Sequence, residues 1–478
     1  MSEADFSLPT QYKVEYVSID GIDVVGLFQS IEIFENIYST GVTGSIVIAD
    51  SAFAGFVEKE ELEFVEAISF AFTNGLGDEL AFDGYLCGLR DEVAKQRLKI
   101  YTIDFCSQAV RNDDETFIVR RFEDESPQEI VDQMIDIVAQ EGEEGERELL
   151  SDGPPMNFIG SRRKPTQIMR YVCNNGVADP EADATQDESE NQEGEVKGAG
   201  GFLCWETLKG YRFVSVKEIR DLSNGASGYP FVVHEDYEYT LANNEAGIER
   251  MKHIIEYEFP KLADYDEKRK SGALNHIQIV YDMDKGEYKE YSSVADAGAK
   301  ETTEKQADLN KVPTRIKTMF CQNERYNKKD KCDKEKDLQY DQKPLTEAQG
   351  LKTQNTFDDQ HGRFTLPPQF NINAGDAIDV LIRKTILGSG EEGEDTTYDK
   401  KHSGAYVIQQ VGHHIFADGQ AYTKLQTLRS LANQSDDSTE APEVKPQNQA
   451  IASPFRRPLP NSPTSAARGN KILYGISS

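Results

Sequence analysis

The stretch SGAYVIQQVGHHIFADGQAYTKLQTLRS, residues 403–430, predicts two β-strands joined by a short turn. An apolar strand, DAIDVLIRK, precedes it at residues 376–384. The same order of features occurs near the other end of the chain, where EAISFAFT, FDGYLCGLRDE and RLKIYTIDFCS follow one another in residues 66–107. Such ordered similarity predicts two copies of one small antiparallel β-barrel, separated by a mixed insertion. The alternative is that any two antiparallel meanders look alike.

The N-terminal part of the chain, residues 11–108, carries the alternating pattern of half-buried strands. In the segment AISFAFT, Ile68, Phe70 and Phe72 fall on one face, and the residues between them fall on the other. Glycines punctuate the segment at turn positions. Short strands at this spacing predict an antiparallel barrel or sandwich. Residues 361–430 are strand-rich in the same way.

The middle of the chain changes to helical patterns at Phe122. Ser126 as N-cap, Pro127 at the first helical position and Glu129 form a capping box that starts a helix. The residues predicted to pack inward on this helix are Ile130, Met134, Ile137 and Val138. A second helix is predicted from Pro165 to Gly176, with Ile168, Met169 and Val172 inward. The segment GFLCWETLKGYRFVSV, residues 201–216, predicts a hairpin that carries the only tryptophan, Trp205.

The charge balance limits the possible partners. The 478 residues include 52 basic and 84 acidic side chains, so the net charge is −32. Such a chain repels phosphates, which argues against ordinary nucleic-acid binding. The charge either solubilises the protein or forms a surface to which DNA does not adhere. The sequence also lacks a signal-peptide pattern at its N-terminus and an apolar run long enough to span a membrane.

The cysteines do not form a disulfide framework or a metal-binding pattern. They occur without CxxC spacing at Cys87, Cys106, Cys173, Cys204, Cys321 and Cys332. Buried free thiols in a reducing compartment are the predicted state. Cys321 and Cys332 lie in a charged stretch and are the best candidates for any other role.

Motifs for catalysis or cofactor binding are absent from the sequence. It contains no Walker A, no GxGxxG after a strand, no HExxH and no GxSxG. His413 and His414 are adjacent on a predicted strand, so they face opposite sides and cannot chelate one ion together. The segment DMDKGE, Asp282 to Glu287, departs from a calcium loop and predicts a hairpin turn. We therefore predict no catalytic, cofactor-binding or metal site, and no cofactor.

Several motifs in order resemble one protein family. The segment SIEIFENIYSTGVTGSIVIADS, residues 30–51, resembles the opening of baseplate central hub proteins of contractile-tailed phages. The matching positions are Ile31, Ile33, Glu35, Ile37, Tyr38, Gly44, Ile46, Ile48 and Asp50. The segments SPQEIVDQMI, KPTQIMRYVCNNG and GFLCWETLKGYRFVSV resemble the hub's middle region, and residues 403–430 are similar to closing barrel strands shared with the base of type VI secretion spikes. The resemblance covers residues 11–430, loosely in 285–360.

The resemblance implies a fold class and a division into domains. The expected fold is α+β and mainly β, with two tube-type antiparallel β-barrel domains that flank a mixed α/β middle region and form a ring. An acidic loop at 179–201 and a Pro/Ser-rich C-terminal arm are longer than the family pattern. The expected domains are a first β-barrel hub domain (1–110), a mixed α/β middle domain with that acidic loop (111–265), a mixed insertion contiguous with the second barrel (266–360), the second β-barrel hub domain (361–430) and the extended arm (431–478).

The resemblance also implies a role. The expected function is that of a structural, non-enzymatic virion protein: a homotrimeric hub that joins the cell-puncturing spike to the sixfold tail tube. The partners would be the tail spike protein below, the tail tube or a tube-initiator protein above, baseplate wedge proteins, and passing DNA without specific binding, with no stable membrane insertion. The location would be the tail baseplate of a virion assembled in the host cytoplasm. Two alternatives remain: a tail-associated peptidoglycan hydrolase, and a fused hub–spike protein of a contractile injection system.

Overall fold

The structure is a computed structural model. The residues that it describes are 8–51, 55–95, 97–139, 146–153, 155–176, 201–216, 219, 233–239, 247–262, 275–282, 287–294, 315–321, 360–383, 398–399 and 402–429. The acidic loop 179–201, apart from Gly201, the C-terminal arm 431–478 and Cys332 lie outside these residues.

The N-terminal part forms a continuous antiparallel sheet. Its elements are β1 Tyr12–Ile19, β2 Ile22–Asp23, β3 Phe28–Asn36, β4 Thr43–Ser51, a short helix α1 Phe56–Lys59, β5 Ala67–Asn74, β6 Glu79–Lys95 and β7 Leu98–Ser107. We call β1 and β3–β7 the N-terminal strand set; its strands lie in the order β3-β4-β7-β6-β5-β1. The predicted alternation is confirmed, because Ile68, Phe70 and Phe72 are buried in one core.

The middle region combines helices with two small sheets. Its elements are α2 Gln108–Glu115, β8 Ile118–Glu125, α3 Pro127–Val138, β9 Glu146–Leu149, β10 Met156–Arg163, α4 Pro165–Asn175, β11 Phe202–Thr207 and β12 Gly210–Ser215. Strands β8 and β10 pair antiparallel, and β12 pairs with β11 antiparallel and with β9 parallel. The predicted hairpin is therefore confirmed. Trp205 on β11 is fully buried.

The two predicted helices are confirmed, with one correction to the inward face of α3. The amide of Glu129 donates to Oγ of Ser126 over 3.2 Å, and the amide of Ser126 donates to Oε2 of Glu129 over 2.9 Å. The prediction that Ile137 packs inward is wrong, because this side chain is 40% exposed. Val131 and Ile135 are buried instead. At about 100° per residue, Ile137 lies roughly a quarter turn from the centre of the face covered by α4 and the sheet.

The C-terminal part contains a second set of strands and a separate small sheet. Its elements are β13 Val233–Tyr239, a 3-10 helix Gly247–Lys252, β14 Glu256–Leu262, β15 Asn275–Asp282, β16 Glu287–Val294, β17 Arg315–Cys321, β18 Gln360–Leu366, β19 Ala377–Ile382, β20 Gly404–Phe416 and β21 Gln420–Arg429. We call β13, β14 and β18–β21 the C-terminal strand set. Strands β15, β16 and β17 form their own sheet, and β15 pairs with β16 as far as Asp282 and Glu287, which confirms the predicted hairpin there.

The two strand sets have the same strand order. The order in the C-terminal strand set is β14-β18-β21-β20-β19-β13, which repeats β3-β4-β7-β6-β5-β1 strand for strand in chain order. The registers agree as well: Ala67 pairs with Tyr85, and Ala377 pairs with Val407 at the equivalent place. One pairing differs, since β1 is antiparallel to β5 whereas β13 is parallel to β19. The predicted similarity of the two end segments is confirmed at the level of strand pairing.

The fold is mainly β, with antiparallel sheets and few helices. Among the described strands, no ladder closes into a barrel, although an isolated bridge between Gln11 and Gln420 brings the start of β1 to the start of β21. The arrangement of two barrels in a ring therefore remains a prediction. None of the helices in the described ranges is both long and apolar enough to span a membrane.

Candidate assembly interface

Strand β20 joins the two strand sets into one sheet. Its first residues, 404–407, pair with β19, and its last residues, 410–416, pair with β3. Its other edge pairs with β21 along almost its whole length. The ladder with β3 comprises seven residue pairs, from Gln410 with Asn36 to Phe416 with Ser30. Strand β20 therefore connects the N-terminal strand set and the C-terminal strand set, which have the same strand order, through backbone hydrogen bonds.

One face of this junction is polar. The Asn36 side chain donates from Nδ2 to Oε1 of Gln410 over 3.2 Å. Nδ1 of His414 lies 3.0 Å from Oε1 of Glu32 on the opposite strand, and the His414 ring packs edge-on against Phe34. Burial alone would raise the pKa of Glu32, but the contact with His414 and the nearby cations outweigh it and lower the pKa. These contacts add side-chain specificity to the backbone ladder.

The other histidine of the pair points into the core. Nδ1 of His413 lies 3.1 Å from Oγ1 of Thr423, and its ring packs against Phe370. Burial, with the neighbouring His414, lowers the pKa of His413 to about 3, so this ring is neutral at physiological pH. The two histidines therefore face opposite sides, as the sequence predicted. Within the described ranges, no group of three or more His, Cys, Asp or Glu side chains is arranged to hold a metal ion.

Glu35 on strand β3 links this strand to the middle region and to the C-terminal strand set. Its Oε1 accepts a hydrogen bond from the amide of Leu208, in the turn between β11 and β12, over 2.8 Å. Its Oε2 accepts from the amide of Ala374, in the loop before β19, also over 2.8 Å. Burial raises the pKa of Glu35 to about 7, although the two amides oppose the rise. One carboxylate thus holds the middle region and the C-terminal strand set against β3.

The backbone carbonyl of Ala374 links the middle region to the loop before β19. It accepts from Nε1 of Trp205 over 3.0 Å and from Nη1 of Arg212 over 2.9 Å. The Arg212 guanidinium also lies 3.0 Å from Oδ1 of Asp376 and 2.6 Å from Oε2 of Glu148. All three charged side chains are buried or nearly so, which makes this an ion network in a low-dielectric setting.

Asp376 at the centre of this network stays ionised. Burial would raise its pKa, but His234, whose Nε2 lies 3.3 Å from Oδ2, and the Arg212 guanidinium lower it overall. Asp376 also accepts a hydrogen bond from the amide of Asn373 over 3.0 Å, which orders the loop before β19. The network therefore ties β12 of the middle region to β13 and β19 of the C-terminal strand set.

A cleft of about 340 Å³ lies between the N-terminal strand set and the middle region. One of its two lining carboxylates, Glu206, accepts hydrogen bonds at Oε2 from Oγ of Ser107 over 2.6 Å and from the amide of Val42 over 2.9 Å. These bonds hold the hairpin β11–β12 against β4 and β7. The cleft is therefore a contact between the N-terminal strand set and the middle region, and Glu206 stabilises this contact.

The sequence predicted no site residues, and it missed the residues that make these junctions. The burial of Glu35 could have been predicted from the sequence. Side chains alternate between the two faces of a strand, so Glu35 lies on the same buried face as Ile31 and Ile33. An acidic side chain at an inward position needs polar partners. No local pattern pointed to the pairing of Arg212 with Asp376, since these two residues lie 164 positions apart in the sequence.

The comparisons with known proteins agree with this architecture. No family model and no curated protein matches the chain. Among solved structures, the tail protein from Neisseria meningitidis MC58 is similar with a TM-score of 0.50 over 93% of this chain and 100% of that protein, at 9% sequence identity. This chain has the fold of a tail protein.

Other solved structures come from the same two classes that the motifs indicated. The 43 kDa tail protein of prophage MuSo2 from Shewanella oneidensis has a TM-score of 0.48 at 8% identity, covering 87% of this chain and 98% of that protein. The E. coli c3393 protein, a component of the type VI secretion system, has a TM-score of 0.37 at 10% identity, covering 91% and 80%. The predicted resemblance to tail proteins is confirmed at the level of the fold by the Neisseria meningitidis structure.

Proposed function

We propose that this protein is the central hub of a phage tail baseplate: a structural, non-enzymatic virion protein that joins the cell-puncturing spike to the sixfold tail tube. The observation that carries the proposal is the repeat of one strand order within a single chain. Each chain offers two equivalent units, so three chains offer six. A homotrimer of this kind presents six similar units to the tube and three chains to the spike.

The junction between the two strand sets supports this role. A symmetry adaptor needs its two units held in one relative orientation, because each must meet an equivalent partner. The seven-pair ladder between β3 and β20, the Glu35 hydrogen bonds and the buried Arg212 network all fix that orientation. In this proposal each strand set is one tube-type barrel of the ring, and the ring encloses part of the channel through which DNA passes.

The proposed neighbours follow from this position. The spike protein lies below the hub, the tail tube or a tube-initiator protein above it, and baseplate wedge proteins around it. The protein is assembled in the host cytoplasm and is located in the virion baseplate. The net charge of −32 suits a channel wall to which DNA does not adhere.

Two measurements test the proposal. Sedimentation of the purified protein should give the mass of three copies when it is alone, and three copies plus the bound spike when the spike protein is present. Electron micrographs should show a ring with six lobes and a central hole. Antibodies against the protein should label the spike-bearing end of tails purified from the phage that encodes it. Labelling only along the tube, or no labelling of tails, would contradict the hub function whatever the mass in solution.

A further inference from the structure

Two strand segments lack a neighbour on one edge within the described part of the chain, although the equivalent segments in the other strand set pair with each other there. In the C-terminal strand set, residues 410–416 of β20 pair with β3 on the edge opposite β21. The equivalent half of β6, residues 88–95, pairs with β7 alone. The counterpart of β3 is β14, and β14 pairs with β18 alone. Among the described residues, no strand occupies the outer edge of either segment.

The equivalence of these strands rests on register. The bulge in β20 after Ile408 corresponds to the bulge in β6 after Leu86, and seven paired positions follow each of these bulges up to the hairpin turn. Strand β6 has a second bulge, between Leu89 and Asp91, that β20 lacks. On the other side, Gly44 of β4 and Gly362 of β18 fall at the same level of the two ladders. The segments YEF of β14 and IEI of β3 then align, with Glu258 in the place of Glu32.

Side chains on the unpaired edge of β6 are more exposed than their counterparts on β20. In β20, Val411 is fully buried and His414 is 6% exposed. Their counterparts in β6 are Leu89, which is 36% exposed, and Val93, which is 56% exposed. Leu98 across the hairpin is exposed as well. The unpaired N–H and C=O groups along this edge can template another strand, whereas its charged residues Arg90, Asp91 and Glu92 disfavour indiscriminate pairing.

We propose that the edge of β6 at residues 88–95 pairs antiparallel with β14 of a second copy of this chain. This contact repeats between chains the ladder that β20 and β3 make within one chain. The inference deepens the proposed hub function, because it names the surfaces that close the ring. The contact is head-to-tail, so each copy uses β6 toward one neighbour and β14 toward the other, and the rotation closes a ring.

The equivalence fixes the register of the proposed ladder. It sets Val93 opposite Glu258 of the second copy and Ala94 opposite its Tyr257. Beyond Glu258, the register of β14 shifts at a bulge before Lys261. Glu258, the acidic residue in these pairs, faces a residue without a negative charge. A slip of one residue in one direction would set Glu92 directly opposite Glu258, and like charges at that position destabilise a sheet. The acidic edges therefore favour the register that the intrachain ladder predicts.

Disulfide trapping tests the proposal. In a background with Cys87, Cys321 and Cys332 replaced by Ser, the double variant Val93→Cys, Glu258→Cys is oxidised under mild conditions and separated on a denaturing gel without reductant. We expect a covalent product of three copies that returns to monomer on reduction. Mixing the two single variants should give dimers only, because each copy then has one reactive edge.

The matched control shifts the register by one residue. The variant Ala94→Cys, Glu258→Cys carries an equally exposed cysteine on the opposite face of β6, and we expect at least tenfold slower trapping. Equal rates would overturn the proposed register. If the protein sediments as a trimer but no disulfide forms, the proposed edges are wrong while the hub function stands. If the protein is a monomer at every concentration, alone and with its spike protein, and no disulfide forms, the interface is overturned. Failure to label the tail end overturns the hub function alone.

Discussion

Gly44 and Gly362 occupy equivalent positions in the two strand sets, and neither has room for a Cβ atom. A Cβ on Gly44 would lie 2.3 Å from the ring of Phe105 and 2.3 Å from the carbonyl oxygen of Glu32. A Cβ on Gly362 would lie 2.8 Å from the ring of Phe364 and from Oγ1 of Thr427. At both positions a neighbouring residue approaches the backbone too closely for any side chain, although the two strands share little sequence. We attribute this to the equivalent packing of the two strand sets.

Replacing these glycines should destabilise the protein unequally. Gly44→Ala should lower the free energy of unfolding by about 2 kcal/mol or more, because backbone as well as side chain must move. Gly362→Ala should cost less, since its neighbours are side-chain atoms. Urea unfolding followed by the fluorescence of Trp205, which is fully buried, measures both. Gly26→Ala, with nothing within 4 Å, is the control and should change the midpoint little. Equal effects at all three positions would contradict the close-packing argument.

The buried Arg212 network should matter more than an exposed ion pair. Arg212→Met leaves Asp376 and Glu148 without their cation, and breaking a buried pair on one side costs about 3–5 kcal/mol. The matched control is Arg121→Met, which breaks a pair with Glu123 on the surface and should cost at most about 1 kcal/mol. The urea midpoint reports both. Similar losses in the two variants would show that the network does not fasten the middle region.

Glu35 should make stability depend on pH between about 4.5 and 7. Its pKa is raised to about 7 in the folded protein from the ordinary 4.5, so the folded state holds a proton that the unfolded state has lost. Rising pH through this interval therefore reduces stability, by at most about 3 kcal/mol in total, and the loss is complete above pH 7. Below pH 4.5 both states are protonated and the penalty disappears.

The variant Glu35→Gln tests this dependence, because the amide imitates the protonated acid. We expect the difference in melting temperature between the variant and the wild type to shift in favour of the variant from pH 5.5 to pH 8. Glu32 and Asp376, whose pKa values are lowered, act in the opposite direction in both proteins and so cancel in the difference. A constant difference across this range would contradict the raised pKa.

The assembled protein should not retain duplex DNA. A chain with a net charge of −32 repels phosphates, and binding to phosphates depends on basic contacts and released counterions. We expect no change in the fluorescence anisotropy of a labelled duplex at physiological salt. Lowering the salt is the control, since any phosphate-directed binding would strengthen there. Binding that grows at low salt would contradict a non-adhesive channel.

The sequence predicted the parts of this fold that depend on local pattern. The α3 capping box at Ser126, the hairpin after Trp205 and the repeated three-strand meanders follow from neighbouring residues, and all three are present. The junctions could not be predicted, because the partners of Glu35 lie 173 and 339 residues away and no spacing rule relates them. The exposed Ile137 was missed for a similar reason, since the width of a buried helix face depends on which elements cover it.

The pairing of β3 with β20 also has a consequence for biosynthesis. The two strands meet through residues such as Asn36 and Gln410, which are 374 positions apart. At about 5–20 residues per second, a ribosome needs roughly 20–75 s to make the second strand after the first. During that interval the apolar edge of β3 has emerged without its neighbour, and nascent chains with such edges aggregate readily. Folding of this protein should therefore be largely post-translational, and its yield should depend on translation rate and on chaperones that shield β3.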